Sequence, residues 1–255
     1  MKLISHADDL GLKPAIDTAI LAATQAGYLT QVSAMVTHST CAYTLPATVN
    51  CALHFNITEG TPLSDPKTIP TLVNREGSFF GLGILLVHLH LQIIDPDDIA
   101  RELTAQLERF KTFYGHYPSH LDSHQHIHLN QRVGGVVVKV ASLCGVQTVR
   151  AARTILFPKT AGYTPRIIKH MLESSPDNHM LGQTIADILV DPRYLTRQSL
   201  PATLASLPSE STVELIWHIS TDPTDTWRAR QQAIITNPQT WSAVHEASIE
   251  LAQYT

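Results

Sequence analysis

The chain is short of several things, and each shortage excludes something. It has three cysteines, Cys41, Cys51 and Cys144, an odd number with no CxxC spacing. That excludes a disulfide framework and a cysteine-rich zinc site, and predicts reduced thiols of a cytoplasmic protein. No uninterrupted apolar run approaches the ~18 residues of a membrane span. The apolar stretch 79–94 is broken by His88, His90 and Gln92. The start, Met1 to Asp9, is no signal peptide, because its apolar part is too short and two carboxylates follow at once. Charged residues make up only 16%, with no run of Lys and Arg, and the formal net charge is -4. A mildly acidic chain of this kind has no general attraction for nucleic acid or anionic lipid. Internal repeats, low-complexity segments and linkers are also missing.

What is present points to a folded α/β chain. The 255 residues, 44% of them hydrophobic, suffice for one large α/β domain or two small ones. Short β-like runs alternate with helical patterns. Lys2 to Ala7 reads as a first strand, followed by a helix from Pro14 to about Ala26 with Ile16, Ala19, Ile20 and Ala23 as its stripe. Further strands are predicted at Gln31 to Thr37, Cys51 to Thr58, Val146 to Ala151, Ile185 to Val190 and Val213 to His218. Asp95-Pro96 opens a helix that Gly115 closes, and another runs through Val136, Val137, Val140 and Leu143 to Gly145. Two helices are predicted at the end, Thr226 to Thr236 and Gln239 to Ala252. Residues 59–94, punctuated by Gly and Pro, read as a loop-rich insertion of the kind that binds substrate. Residues 154–211 are expected to hold two or three helices besides their strand. Strands alternating with helices imply a mainly parallel sheet, open or closed into a barrel, with functional residues at the carboxyl ends of its strands.

The compositional oddity is a count of 14 histidines. In His120-Leu121-Asp122-Ser123-His124-Gln125-His126-Ile127-His128 the histidines and Asp122 alternate with other residues. Read as an extended strand, the stretch puts all of them on one side. An apolar core has no use for such a face, whereas a carboxylate among imidazoles offers oxygen and nitrogen ligands to a divalent metal. One or two of the rings would be ligands and the rest would orient them or line a substrate groove. Asp8 and Asp9 follow the first strand, and like charges so close need a cation or a proton between them. His54 sits near the end of the third strand. His218 ends the late strand and is a candidate proton donor, and Arg150 could hold a carboxylate in place. His88 and His90 carry no functional reading.

With these residues in view the chain resembles the YdjC-like carbohydrate deacetylases, which include chitooligosaccharide deacetylase. The matching pieces are Ala7-Asp8-Asp9-Leu10-Gly11-Leu12, the run from Leu53-His54-Phe55-Asn56 through Glu59-Gly60 to Leu63, and the His120 to His128 cluster. Glu102 to Gly115 and Val149-Arg150 also fit. The match runs from residue 1 to about 151 and returns at Glu214 to His218. There His218-Ile219-Ser220 stands where the family commonly has His-Pro-Gly, and Leu10 replaces a usual Phe.

The resemblance implies an α/β fold, an irregular (β/α) barrel of fewer than eight regular strands, formed by residues 1–255 as one domain and often seen as a homodimer. It implies a divalent metal, magnesium or zinc, held by Asp9, His54 and His124, with Asp8 as catalytic base. The nitrogen-rich ligand set suits zinc, while family practice often points to magnesium. The reaction implied is removal of an N-acetyl group from a small carbohydrate, with His218, or else His126 or His128, protonating the amine. Asp122, His126, His128 and Arg150 would support ligands or line the groove. The spacing leaves open whether Asp8 and Asp9 exchange roles. Two other readings stand beside this one. A metallohydrolase of phosphoesters or another amide would be favoured by a basic cluster at the groove. A binding protein that lost its chemistry is favoured by the altered segment after His218.

Overall fold

A computed structural model describes residues 1–156, 186–196, 198–246 and 249–254. The strands are β1 (Lys2–Leu10), β2 (Gln31–Ala34), β3 (Asn50–Phe55), β4 (His120–Ser123), β5 (Thr148–Val149), β6 (Ala152–Leu156), β7 (Ala186–Val190), β8 (Thr212–Trp217) and β9 (Glu250–Leu251). The helices are α1 (Pro14–Gln25), α2 (Leu82–His90), α3 (Pro96–Tyr114), α4 (Gln131–Leu143), α5 (Ser199–Ala205), α6 (Thr226–Ile235) and α7 (Pro238–Glu246).

All the pairings between these strands are parallel, in the order β5-β4-β3-β2-β1-β8-β7-β6, with β9 against the start of β1. The two ends of that order, β5 and β6, are separated in the chain only by Arg150 and Ala151. Eight strands laid flat would put the ends ~34 Å apart, and the three virtual bonds from Val149 to Ala152 reach at most ~11 Å. The sheet therefore rolls up. β5 and β6 act as one kinked strand that pairs with β4 on one side and β7 on the other. Counted so, seven strands go round among the described residues, an irregular barrel with fewer than eight.

The apolar core lies outside the barrel wall. Leu3, Ala7, Val32, Val213 and Leu215 meet Ile16 and Ile20 of α1 and Ile234 and Trp241 of the last two helices. Leu53, Phe55, Leu121 and Val149 meet Ile99, Leu103 and Leu107 of α3 and Val133 and Val137 of α4. Strand alternation sends the intervening residues inward. These include His6, Asp8, Ser33, His54, Asp122 and Glu214, all buried. The lumen is largely polar among the described residues, and it also holds the small apolar cluster of Ala152, Leu189 and Ile216.

Several expectations need correction. The second and third strands end early, at Ala34 and Phe55. The expected strand over 146–151 is split, and its continuation β6 takes up 152–156. The last helix is described to Glu246, and β9 stands at 250–251 where the helix is expected to continue. Within 59–94 lies α2, whose sequence is apolar on all sides and so shows no helical stripe. The histidine cluster is no continuous strand: β4 stops at Ser123 and a 3-10 turn spans His124–Leu129, with Gln125 and His126 both at φ 54°. Of the expected helices in 154–211, α5 is seen and 157–185 lie outside the described residues.

Candidate active site

The site forms at the carboxyl ends of β1, β3, β4 and β8, where parallel barrels place their chemistry. Alternation along β1 would send Asp8 and Asp9 to opposite faces. Asp9 instead takes φ 72°, and the β1–β2 register shifts between Ala7 and Leu10. That left-handed residue, a conformation that Asp tolerates better than most side chains, brings both carboxylates to one cleft of about 250 Å³.

Asp9, His54 and His124 converge there. Oδ1 of Asp9 lies 2.9 Å from Nδ1 of His124 and 3.2 Å from Nε2 of His54. Each histidine has its other nitrogen on a second carboxylate. His54 Nδ1 is 2.5 Å from Asp122, and His124 Nε2 is 3.1 Å from Glu59. With a proton held on those outer nitrogens, the two remaining lone pairs face the same oxygen of Asp9. This donor set, one carboxylate and two imidazoles with mutually close ligand atoms, fits a divalent metal.

Asp8 belongs to a different arrangement. Arg150, fully buried, donates from both terminal nitrogens to the two oxygens of Asp8, at 2.8 and 2.7 Å. The same guanidinium reaches Asp122 at 2.8 Å and, through Nε, Glu214 at 2.9 Å. Glu214 is also 2.7 Å from His6 Nδ1 and accepts from the Tyr254 hydroxyl at 2.7 Å. Ser33 donates to Asp122. Burial works to raise Asp8, but Arg150 and His54 together hold the carboxyl below its usual range. Burial likewise opposes a charge on His54, yet Asp122, Asp8 and Asp9 push its imidazole up to about 10.

The charges themselves call for a cation. Asp8, Asp9, Asp122 and Glu214 are buried carboxylates, and the guanidiniums among them are those of Arg150 and Arg228, which reaches Asp9 Oδ2 at 2.5 Å. Among the described residues these carboxylates outnumber the guanidiniums that reach them, a balance that a divalent ion would improve. The high affinity of His54 for a proton is the same deficit seen another way.

The other predicted residues are placed as follows. His218 follows β8, its backbone N–H held by Gln231 of α6 at 2.8 Å and its Nε2 3.9 Å from Asp8 Oδ2. Burial pushes His218 down to about 4, so the ring is neutral near pH 7. His126 lines the cleft, with a buried Nδ1 that has no hydrogen-bond partner among the described residues. His128 turns back from it, with Nδ1 2.5 Å from Ser123 Oγ and Nε2 3.0 Å from the carbonyl of Arg150. His120 lies deeper in the lumen, stacked on Tyr254. Reading the sequence alone missed Arg228, Glu59, Glu214, His6 and Trp227. Trp227 packs beside His218 and carries the Arg193 and Arg228 guanidiniums against its ring. Arg228 reaches Asp9 across 219 residues of chain, and nothing local signals that.

Fold and site together define a (β/α)-barrel protein with a histidine–aspartate centre at its carboxyl-terminal mouth. The chain belongs to the YdjC-like protein family, whose model matches residues 2–249. It is similar to a carbohydrate deacetylase of Geobacillus stearothermophilus, 32% identical over 240 residues, covering 87% of this chain and 89% of that one. It is also similar to a chitooligosaccharide deacetylase of Serratia marcescens, 32% identical over 150 residues, 56% of this chain and 57% of that one. Among solved structures, an Enterococcus faecalis protein named for cellobiose-phosphate cleavage shares the fold, with TM-score 0.74, 22% identity, and 99% and 97% of the two chains covered. No described helix is long and apolar enough to cross a membrane.

Proposed function

We propose that this chain is a metal-dependent deacetylase that hydrolyses an N-acetyl group on a small carbohydrate. The observation that carries the reading is the pairing of two arrangements in one cleft. One is the Asp9, His54 and His124 donor set; the other is a separate carboxylate, Asp8, kept ionised by Arg150. The names of the similar proteins supply the substrate class.

Asp9, His54 and His124 would hold the ion, magnesium or zinc. Such an ion supplies a more acidic water and a counter-charge for the developing oxyanion. Asp8 stands beside it as the base that takes the proton from the attacking water. Arg150 fixes both oxygens of Asp8, so the carboxylate enters the reaction already aimed. His218 is neutral at rest and receives its proton within the cycle, from Asp8 3.9 Å away, before giving it to the departing amine. His126 and Trp227 line the cleft where a sugar would lie. Asp122 and His128 support the wall of the site from within.

A phosphoester substrate would be favoured by a basic cluster. Lys13, Arg193 and Arg228 do line the cleft. Arg193 is already paired with Asp191, however, and Arg228 with Asp225 and Asp9. The amide reading therefore stands first.

The test is acetate release from a panel of N-acetylated sugars by protein stripped of metal and refilled with zinc or magnesium. The panel includes an aryl phosphate. Refilled wild type should release acetate, and Asp8→Asn should lose ~100-fold or more in turnover. Metal binding without acetate from any sugar sinks the deacetylase reading, and phosphate release instead supports the second one.

A further inference from the structure

The two histidines of the candidate metal site are held by unlike partners. Asp122, behind His54, is fully buried and itself tied to Arg150 and Ser33. Glu59, behind His124, sits on the rim of the cleft, with its side chain 44% exposed. A rim carboxylate is ordinarily free to wander, but this one stands on a fixed turn. Its backbone N–H donates to Asn56 Oδ1 at 3.1 Å, and its carbonyl accepts from Asn56 Nδ2 at 2.7 Å. The backbone of Asn56 is in turn clasped by the Gln106 amide of α3, at 3.0 and 2.6 Å. Gly60 follows at φ 75°, and a Cβ there would lie 2.8 Å from His38 Nε2. The turn after β3 is thus specified residue by residue, and it points Glu59 at His124.

An imidazole binds a metal through a nitrogen without a proton, so the proton must be kept on the other one. Nδ1 of His124 faces Asp9, and Nε2 faces Glu59. We propose that Glu59 is a positioning residue for the metal: it holds the proton on Nε2 of His124 and fixes the ring angle that aims Nδ1 at the ion. The proposal rests on reading Asp9, His54 and His124 as the metal site. It gives the rim of the cleft, where substrate enters, a direct hold on a ligand.

The experiment is calorimetric titration of zinc into metal-stripped wild type, Glu59→Ala, Glu59→Gln and His54→Ala, with thermal melting of each stripped protein to check folding. Wild type should bind one ion per chain, and Glu59→Ala should bind ~10- to 100-fold more weakly, as for other supports of metal-binding histidines. Glu59→Gln should fall between them, because its amide oxygen still accepts from Nε2–H. Wild-type affinity in Glu59→Ala overturns the proposal. So does Glu59→Gln binding no tighter than Glu59→Ala, since the hydrogen bond would then do nothing. If wild type takes up no ion, or His54→Ala binds as wild type does, the metal-site reading fails and Glu59 fails with it. Weak binding in His54→Ala beside unchanged binding in Glu59→Ala overturns the Glu59 role alone.

Discussion

At the scale of single residues, Arg150 decides whether the lumen can exist. It is the cation shared by Asp8, Asp122 and Glu214, all out of contact with water. Removing one partner of a buried ion pair typically costs ~3–5 kcal/mol, because the other charge is stranded. Arg150→Met strands three carboxylates, so it should lose at least that much in urea unfolding. Arg150→Lys keeps the charge but not the fork, and cannot grip both oxygens of Asp8. It should fold and show lower turnover. A lysine variant with full activity would mean that the aim of Asp8 does not matter. His120 makes the opposite case, a buried ring with no charge. Among the described residues neither nitrogen has a hydrogen-bond partner, Nε2 lying 4.0 Å from Asp122, and burial pushes the ring down to about 3 from an ordinary 6.5. Between those values the unfolded chain binds the proton and the folded ring does not. The stability it confers is therefore lost as pH falls below about 6.5, at up to ~1.4 kcal/mol per pH unit. His120→Phe, which keeps a ring against Tyr254, should gain on wild type as pH drops from 7 to 4. Both proteins carry the same carboxylates, so the difference in unfolding free energy isolates the imidazole. A constant difference across that range would refute the assignment.

At the scale of elements, α4 packs so closely on the turn bearing His124 to His128 that only glycine fits at one point. A Cβ on Gly134 would lie 2.6 Å from the carbonyl oxygen of His128, while one on Gly135 would meet nothing within 4 Å. Both sit inside the helix, where alanine is favoured over glycine by ~1 kcal/mol. Overpacking costs ~1–3 kcal/mol. Gly135→Ala should therefore stabilise and Gly134→Ala destabilise, and Gly134→Ala should also weaken metal binding by moving the turn that carries His124. Equal effects in the two variants would mean that the turn yields freely. The legibility of elements follows the same local logic. α3 was readable because its ends are written in the sequence: Asp95 caps Asp97, and Gly115 closes at φ 81°. α2 was not, since Leu82–His90 has no polar face. The histidine run has the period of a strand and was read as one, but Gln125 and His126 turn left-handed in its midst, which no glycine announces. Asp9 is the same case, and without its φ of 72° the two aspartates could not share a cleft.

At the scale of the whole molecule, the usual plan is turned inside out, with apolar clusters outside the wall and charges within. The residues of the proposed site, Asp8, Asp9, His54 and His124, were visible in the sequence because their type and clustering are unusual. Those that balance them, Glu214, Arg228 and Glu59, were not, because they become neighbours only when the barrel closes. That balance yields a prediction for the entire fold. Among the described residues, the buried carboxylates Asp8, Asp9, Asp122 and Glu214 outnumber the guanidiniums of Arg150 and Arg228 that reach them. Without an ion the chain must charge a buried histidine or bear the repulsion. An ion bound only by the folded form stabilises it by ~2.7 kcal/mol when present at a hundred times its dissociation constant. For a chain of this size each kcal/mol moves the melting temperature by ~2–4 °C. Chelation should therefore lower the melting temperature by several degrees, and zinc or magnesium should restore it. His54→Ala removes a proposed ligand and should make melting insensitive to both chelator and metal. Wild type that melts alike with and without chelator, while remaining able to release acetate, would show that the lumen balances its charge with protons alone.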